Sequence, residues 1–244
     1  MAITRKLNIF QRGLNRFGQP LGFAPFPVAR ERSEEAERNR ESVFEGIFRE
    51  NYWGSGESAS GPGSELRGTE KYRKALVEFL RREGIQSMFD APCGDLNWMS
   101  KVVGEVAIHY IGGDISESVI AAARRRCPDL DLRQFDICKD KFPDVDVWHC
   151  RDALFHLSFD DIWLALRNAA RSNIRYALLT SHRAKLLKNL DIHTGGWRLL
   201  DLERPPFRLP RPREYLPESL PPAFPRGVGV WPIEAIRQAV SRNG

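Results

Sequence analysis

From residue 85 onward, short apolar runs alternate with segments of helical periodicity, and this pattern constrains the fold more than any other feature. The apolar runs lie at residues 85–90, 109–114, 130–136, 145–150 and 176–180, with a last one near 228–231. Helical patterns lie at residues 98–106, 117–126 and 160–171. The last of these begins with a capping box, Ser158-x-x-Asp161. Strands and helices alternating at this spacing predict a doubly wound, mostly parallel α/β sheet with helices on both faces.

The N-terminal 30 residues form a basic arm. They contain five basic residues and no acid, so they carry the whole formal net charge of +5. Their apolar residues recur at spacings of four and three, which predicts one face of an amphipathic helix. Such a helix could pack on the domain or on a second copy, bind a membrane surface or nucleic acid, or act as a transit peptide. A homo-oligomer formed through this arm is one expectation.

Residues 31–84 are predicted to form a helical cap and a lid. Residues 31–50 are rich in Glu and Arg but carry an apolar stripe that includes Phe44 and Phe48, as in a helix with one buried face. A second helix is predicted to begin with Thr69 as its N-cap. Between them, residues 54–64 (GSGESASGPGS) have the composition of a flexible linker. They directly follow Tyr52 and Trp53, so a lid over a ligand is the alternative that we favour.

Composition excludes several classes of protein. No apolar run reaches the roughly 18–20 residues that a membrane helix needs, and the N-terminus lacks the apolar core of a secretory signal, so we expect a cytoplasmic protein. The four cysteines lie far apart without a CxxC pair, which predicts neither a metal site nor a disulfide framework. Outside the arm the chain is formally neutral. We therefore expect no nucleic-acid partner.

The most informative segment, residues 88–99, covers the turn between the first strand and its helix, where doubly wound folds bind nucleotides. A dinucleotide site needs several glycines there, but this turn has only Gly94, and Asp95 would repel a pyrophosphate. This excludes NAD and ATP. The carboxylates of Asp90 and Asp95 could instead attract a cationic nucleoside.

Acidic residues also follow the next two strands. Asp114 stands 20 residues after Gly94, the place and spacing of an acid that binds ribose hydroxyls. Asp136 could accept a hydrogen bond from an adenine amino group while Ile137 packs on the ring. The alternative for Asp136 is that it simply caps the next helix.

These residues resemble the class I S-adenosylmethionine (SAM)-dependent methyltransferases. The segment Asp90-Ala-Pro-Cys-Gly-Asp-Leu-Asn-Trp-Met is similar to a bacterial subgroup in which Tyr-Trp-Gly-Ser-Gly-Glu-Ser and Ser-Gly-Pro-Gly-Ser segments precede the first strand, and both occur here. The resemblance covers residues 44–210. It implies a seven-stranded, Rossmann-like SAM-binding domain, which we expect at residues 85–244. The first 30 residues and the detail of the Pro-rich stretch fall outside the resemblance, so the N-terminal helical extension and a Pro-rich insertion at 203–226 are expected from periodicity and composition.

The resemblance also implies roles for individual residues. Asp90, Pro92, Gly94 and Asp95 would hold the methionine end of SAM, Asp114 the ribose, and Asp136 with Ile137 the adenine. Trp53, Ser60 and Gly61 would close over the cofactor from the N-terminal side. The full set of expected cofactor residues is Trp53, Ser60, Gly61, Asp90, Pro92, Gly94, Asp95, Trp98, Asp114, Ile115, Asp136, Ile137 and Arg151.

The segment after the fourth strand faces the transferred group in such enzymes, so Arg151, Asp152 and His156 are the catalytic candidates. If this segment is helical, Asp152 and His156 share a face, and the acid would orient the imidazole as a general base. Alternatively, Arg151 and Asp152 order the methionine end while His156 packs structurally. Methyl transfer often needs only proximity and alignment.

The C-terminal third offers the acceptor-side candidates. These are His182, Asn189, Asp191 and Arg198, for which ordinary loop capping is the alternative. Residues 205–225 hold eight of the 16 prolines, so we expect no regular structure there, only a loop over the cavity or a spacer.

The function expected is methyl transfer to an oxygen or nitrogen of a small molecule. The alternative is a SAM-consuming cyclase of the azetidine-2-carboxylate synthase type, which releases methylthioadenosine. A non-catalytic SAM- or nucleic-acid-binding module is disfavoured by the polar residues that follow the fourth strand.

Overall fold

A computed structural model describes residues 39–183, 188–218 and 226–243. In this part of the chain seven strands form one sheet in the order β3-β2-β1-β4-β5-β7-β6. The strands are β1 (Ser87–Asp90), β2 (His109–Asp114), β3 (Asp131–Gln134), β4 (Val147–Cys150), β5 (Tyr176–His182), β6 (Glu214–Pro217) and β7 (Arg226–Pro232). Strands β1 to β5 pair in parallel, whereas β7 runs antiparallel to both β5 and β6. The predicted fold class is confirmed.

The chain order creates a crevice above β1 and β4. From β1 the chain proceeds outward to β2 and β3 and then returns to β4 on the other side of β1. Connections that leave in opposite directions open a gap at the carboxyl ends of the two strands, which is where doubly wound folds bind ligands. All residues predicted to bind the cofactor from the strand ends therefore meet at one edge.

Six α-helices accompany the described strands. They are α1 (Arg40–Arg49), α2 (Leu66–Arg82), α3 (Met99–Val103), α4 (Glu117–Arg126), α5 (Phe159–Ala170) and α6 (Ile233–Arg242). Side-chain caps set several of their starts: Asn39 accepts from the Ser42 N–H, and Ser116 accepts from the Val119 N–H. Ser158 accepts from the Asp161 N–H at 3.2 Å, as its capping-box pattern predicts.

The core has one layer on each face of the sheet. Neighbouring residues of a strand point to opposite faces, so each central strand supplies both layers. One layer contains Phe89, Trp148, Leu179 and Trp231. The other contains Met88, Val147, Leu178 and Val230. Burial on both faces explains why these strands are nearly continuous apolar runs.

Two sequence predictions about local structure are wrong. Helix α2 begins at Leu66, one turn before the predicted cap, and the Thr69 hydroxyl donates to the backbone carbonyls of Glu65 and Leu66. Part of the Pro-rich stretch is regular, because β6 pairs with β7 over four residues. Proline is tolerated there since β6 is an edge strand and Pro217 stands at its end.

The basic arm of residues 1–30 lies outside the described residues, as do parts of the predicted cap and insertion. The domain boundaries stay a prediction. No helix among the described residues is long and apolar enough to cross a membrane. The four cysteines are unpaired.

Candidate active site

A cavity of about 300 Å³ lies at the carboxyl edge of the sheet, between the strand ends and the N-terminal cap. It brings together most of the residues predicted to bind cofactor. Those that line it are Trp53, Ser60, Gly61, Asp90, Pro92, Gly94, Trp98, Asp114, Ile115, Asp136, Ile137 and Arg151. The catalytic candidates Asp152 and His156 line it too.

Asp114 is held at the end of β2 by the backbone. One carboxylate oxygen accepts from the Gly94 N–H at 3.1 Å and the other from the Ser116 N–H at 3.1 Å. Burial raises the pKa of Asp114 to about 6. Gly94 has a φ of +61°, and a Cβ there would overlap the Ser60 hydroxyl. Only glycine therefore lets the loop pass so close to the cap.

Asp95 differs from its prediction, because it does not line the cavity. Its carboxylate accepts from the Ser58 hydroxyl at 2.8 Å and from the Ala59 N–H at 3.2 Å. Asn97 donates to Glu57 at 2.6 Å from the same turn. Asp95 thus holds Ser58 and Ala59 in place instead of lining the cavity.

The adenine end expected at Asp136 is shared with helix α1. One Asp136 oxygen accepts from the Cys138 N–H at 2.9 Å, and the other accepts from Arg40 Nη2 at 2.6 Å. Arg40 also pairs with Asp161 at 2.8 Å. Sequence reasoning missed Arg40 as a site residue. Phe44 and Phe48 of this helix also line the cavity. The sequence pattern predicted their apolar stripe but not this position.

A buried polar chain runs under the cavity floor. Asp90 accepts from the Tyr110 hydroxyl at 2.8 Å and pairs with His149 Nδ1 at 2.6 Å. His149 Nε2 is 2.9 Å from the Tyr72 hydroxyl. Burial raises the pKa of both tyrosines well above its ordinary value, so both stay protonated and available as donors. His149 was missed because it reads as an ordinary residue of a buried strand.

Four charged residues form what we call the salt cluster: Arg151, Asp152, Glu218 and Arg226. Arg151 makes a two-point contact with Glu218, at 2.9 and 2.8 Å. Arg226 donates to Asp152 at 2.9 Å. Although burial opposes ionisation, Arg151 and Arg226 hold the pKa of Asp152 below its ordinary value. Glu218 and Arg226 come from the Pro-rich insertion and β7, where sequence reasoning proposed no site residue.

His156 is oriented by a backbone carbonyl. Its Nδ1 lies 2.7 Å from the Gly196 oxygen, which can only accept, so Nδ1 carries the proton and Nε2 is unprotonated. Burial lowers the pKa of His156 to about 4. The ring packs on Trp53, with centroids 5.1 Å apart. His156 is therefore a neutral imidazole in the cavity wall.

The expectation that Asp152 and His156 share a helical face is wrong. Asp152 has a φ of +55°, and the short 3₁₀ turn begins only at Leu154. The hydrogen-bonded neighbour of Asp152 on β5 is Thr180, whose hydroxyl accepts from the Asp152 N–H at 2.9 Å. Gly196, not Asp152, thus orients the imidazole.

The four acceptor-side candidates do not line the cavity. Asn189 donates to the carbonyls of Asp201 and Pro205, both at 2.8 Å. Asp191 accepts from the Phe159 N–H, Arg198 donates to the Leu157 carbonyl, and His182 accepts from the Leu200 N–H. All four brace the loops after β4 and β5, which agrees with the loop-capping alternative.

Comparison with known proteins agrees with this geometry. Residues 89–173 match the family model of a methyltransferase domain. This part of the chain, from β1 to just beyond α5, is therefore similar to a methyltransferase domain. The match supports a class I SAM-dependent methyltransferase with SAM as its cofactor. No curated protein matches the chain in sequence.

Solved methyltransferase structures resemble the domain. The mitomycin 7-O-methyltransferase MmcR superposes with a TM-score of 0.52 at 17% identity, over 67% of this chain and 53% of that one, which shows a shared fold. This chain thus matches about half the length of MmcR. The SAM-bound magnesium protoporphyrin IX methyltransferase ChlM from Synechocystis PCC 6803 gives a TM-score of 0.47 at 14% identity, over 62% of this chain and 80% of that one.

Proposed function

We propose that this protein transfers the methyl group of SAM to an oxygen or nitrogen atom of a small molecule. The observation that carries the proposal is the neutral imidazole of His156 in the cavity wall, with its proton fixed on Nδ1. Nε2 has no hydrogen-bond partner among the described residues, so it is available to an acceptor hydroxyl or amine. The imidazole would take the proton that such a group loses as it gains a methyl group.

The cavity suits the nucleoside. The Asp114 carboxylate lines the cavity and is paired with no cation in the described chain, so it can accept from the ribose hydroxyls in addition to the backbone N–H groups. At the other end, an adenine amino group would share Asp136 with Arg40. When bound, SAM would supply a methyl group made electrophilic by its positively charged sulfur.

The acids around the cavity favour a cation over a polyphosphate. Asp90, Asp114, Asp136 and Asp152 all line it. Only Asp136 and Asp152 are paired with arginines in the described chain. Asp90 lies next to the Gly94 turn, where a sulfonium or ammonium group would be stabilised. Asp90 and Asp114, which are not paired with arginines, would repel the phosphates of ATP or NAD.

A second candidate is the SAM cyclase, and the size of the cavity favours it. About 300 Å³ is at the small end of the roughly 300–1,000 Å³ typical of ligand sites. Beside one nucleoside, a cavity of this volume has room for only a small acceptor. In the cyclase reaction the α-amine of SAM forms a bond to its own γ-carbon, and the bond from that carbon to sulfur breaks. The amine must lose a proton, for which Asp152 and His156 are the candidate bases.

The nucleoside product separates the two functions. Purified protein is incubated with SAM alone and with a panel of small hydroxy and amino compounds, and the nucleoside is identified by mass spectrometry. We expect S-adenosylhomocysteine, and only when an acceptor is present. Enzyme-dependent methylthioadenosine from SAM alone, lost in Asp152→Asn, would establish the cyclase instead.

A further inference from the structure

The far side of the cavity has a chemistry of its own. The predicted cofactor acids follow β1, β2 and β3, which all lie on one side of β4. On the other side, Arg226 begins β7 and pairs in register with His182 at the end of β5. Arg226 lines the same cavity. With SAM placed along β1 to β3, the space beside Arg226 is left for the acceptor.

Three arginines line the cavity in the described chain, and they differ in how many of their donors are used. Arg40 donates from Nε, Nη1 and Nη2 to two carboxylates. Arg151 donates from the same three atoms to a carboxylate and a backbone carbonyl. Arg226 makes its hydrogen bonds in the described chain from Nη2 alone, to Asp152 and Glu218. Its Nε is buried without an acceptor.

Leaving guanidinium donors of Arg226 without acceptors costs free energy unless a ligand accepts hydrogen bonds from them. The Arg226 side chain is only 11% exposed, so water does not readily replace the missing acceptors. A planar anion can accept two hydrogen bonds from one guanidinium. The salt cluster is neutral overall, with two arginines and two acids, so its net charge does not repel an added anion.

We propose that Arg226 recognises the acceptor by an anionic group, a carboxylate or a phosphate, which accepts hydrogen bonds from the cavity side of the guanidinium, where Nη1 donates to no residue of the described chain. The inference rests on the proposed function, because it assigns a substrate class to the same cavity. Asp152 and Glu218 hold the guanidinium in place. The glycine at position 63 keeps the lid clear of this group, since a Cβ there would lie 2.8 Å from Asp152 Oδ2.

The test uses the complex with S-adenosylhomocysteine. Wild-type protein is first titrated with S-adenosylhomocysteine by calorimetry, and the saturated complex is then titrated with sodium acetate or with inorganic phosphate. Sodium chloride at matched ionic strength is the blank. Acetate binding is followed by saturation-transfer NMR, and phosphate binding by its phosphorus chemical shift.

We expect at least one of the two anions to bind, and Arg226→Gln to weaken that binding roughly 10- to 100-fold. Arg226→Lys keeps the charge but loses the planar guanidinium, so its anion affinity should lie between those of the wild type and Arg226→Gln. Affinity for S-adenosylhomocysteine should change less than about twofold. Arg211→Gln, which removes the same charge from the exposed surface, should leave anion binding unchanged. Acetate binding alone assigns a carboxylate, and phosphate binding alone assigns a phosphate.

Three results would overturn the inference. They are no binding of either anion to the wild-type complex, equal binding in Arg226→Gln, or a large loss of S-adenosylhomocysteine affinity in that variant, which would make Arg226 a cofactor residue. Failure of the wild type to bind S-adenosylhomocysteine would instead contradict the proposed function. That outcome is seen in the first titration, before any anion is added.

Discussion

The two ends of the cavity hold their carboxylates in opposite ways. At the β2 end, Asp114 is fixed by two backbone N–H groups and no cation, and its pKa is raised to about 6. At the β4–β7 end, Asp152 lies between Arg151 and Arg226, and its pKa is lowered. Both acids are buried, so the charged neighbours decide the sign of the shift.

The difference indicates that the two ends have different functions: the β2 end binds the ligand, and the β4–β7 end holds its own residues in position. An acid without a cation partner is stabilised when a ligand donates hydrogen bonds to it, so Asp114 at the β2 end is suited to binding the cofactor. An acid locked between two arginines gains less from a ligand, but it keeps its neighbours in fixed positions. His156 lies on the second side, where burial keeps it neutral. Substitutions at the two ends should therefore affect different measurements.

Replacing the imidazole should have the largest effect. His156→Gln should lower turnover by roughly 10²- to 10⁴-fold, the usual contribution of a general base. Affinity for SAM should stay within about threefold, because the cofactor end is untouched. Turnover is measured as S-adenosylhomocysteine formed with the best acceptor from the panel.

The matched control is His109→Gln, an exposed histidine at the start of β2. It should turn over as the wild type does. Because the pKa of His156 is about 4, the imidazole is unprotonated throughout pH 6–8, so its own titration should not change the rate in that range. Wild-type turnover in the His156→Gln protein would reduce His156 to a packing role.

A substitution at the cofactor end should change the affinity for SAM. Asp114→Asn removes the charge that would accept the ribose hydroxyls, and an amide accepts from only one side. We expect SAM affinity to fall by about 10- to 150-fold, corresponding to about 1.5–3 kcal/mol for a charge-assisted contact. Calorimetric titration measures it. Asp131→Asn, a substitution of a partly exposed strand acid paired with Arg133, is the control.

The same residue should make binding depend on pH. Its pKa of about 6 means that the ligand-free carboxyl is ionised above pH 6 and becomes protonated as the pH falls through that value. Ligand hydroxyls donate to the ionised form, so SAM affinity should be full at pH 8 and decline below pH 6, by at most roughly tenfold per pH unit. Asp114→Asn should bind equally at both pH values. A wild type with no such dependence would place the ribose elsewhere.

The sequence predicts the β1–β3 end better than the β4–β7 end for a physical reason. Asp90 and Asp114 are the last residues of β1 and β2, and Asp136 comes two residues after β3. Parallel strands bring their carboxyl ends to one edge. Local pattern and fold class together therefore locate them. Arg226 reaches the cavity, and Glu218 reaches Arg151, only through the antiparallel return of the last strands, which no local pattern encodes.

Asp95 shows the limit of local reasoning at the well-predicted end. Its position in the turn is predicted correctly, but its carboxylate accepts a hydrogen bond from the hydroxyl of Ser58, 37 residues earlier in the chain. Gly196 shows the reverse, because it contributes only a backbone oxygen, which any residue type carries. Side-chain chemistry can be read from a sequence, whereas the partner that satisfies it depends on the tertiary fold.

The smallest effect concerns the lid, residues 53–64, which joins the two ends. Its Ser58 hydroxyl donates to Asp95 at 2.8 Å, while the carbonyl of Gly63 accepts from Arg151 at 2.9 Å.

We expect amide hydrogen exchange in residues 50–66 to slow when SAM or S-adenosylhomocysteine is added. Ser58→Ala should speed exchange about 2- to 10-fold without ligand, since a typical hydrogen bond contributes about 0.5–1.5 kcal/mol. Ser42→Ala, on the exposed face of α1, should leave it unchanged. Equal exchange with and without ligand would mean that this segment is a linker whose contacts do not respond to the cavity, and the two ends would then be independent.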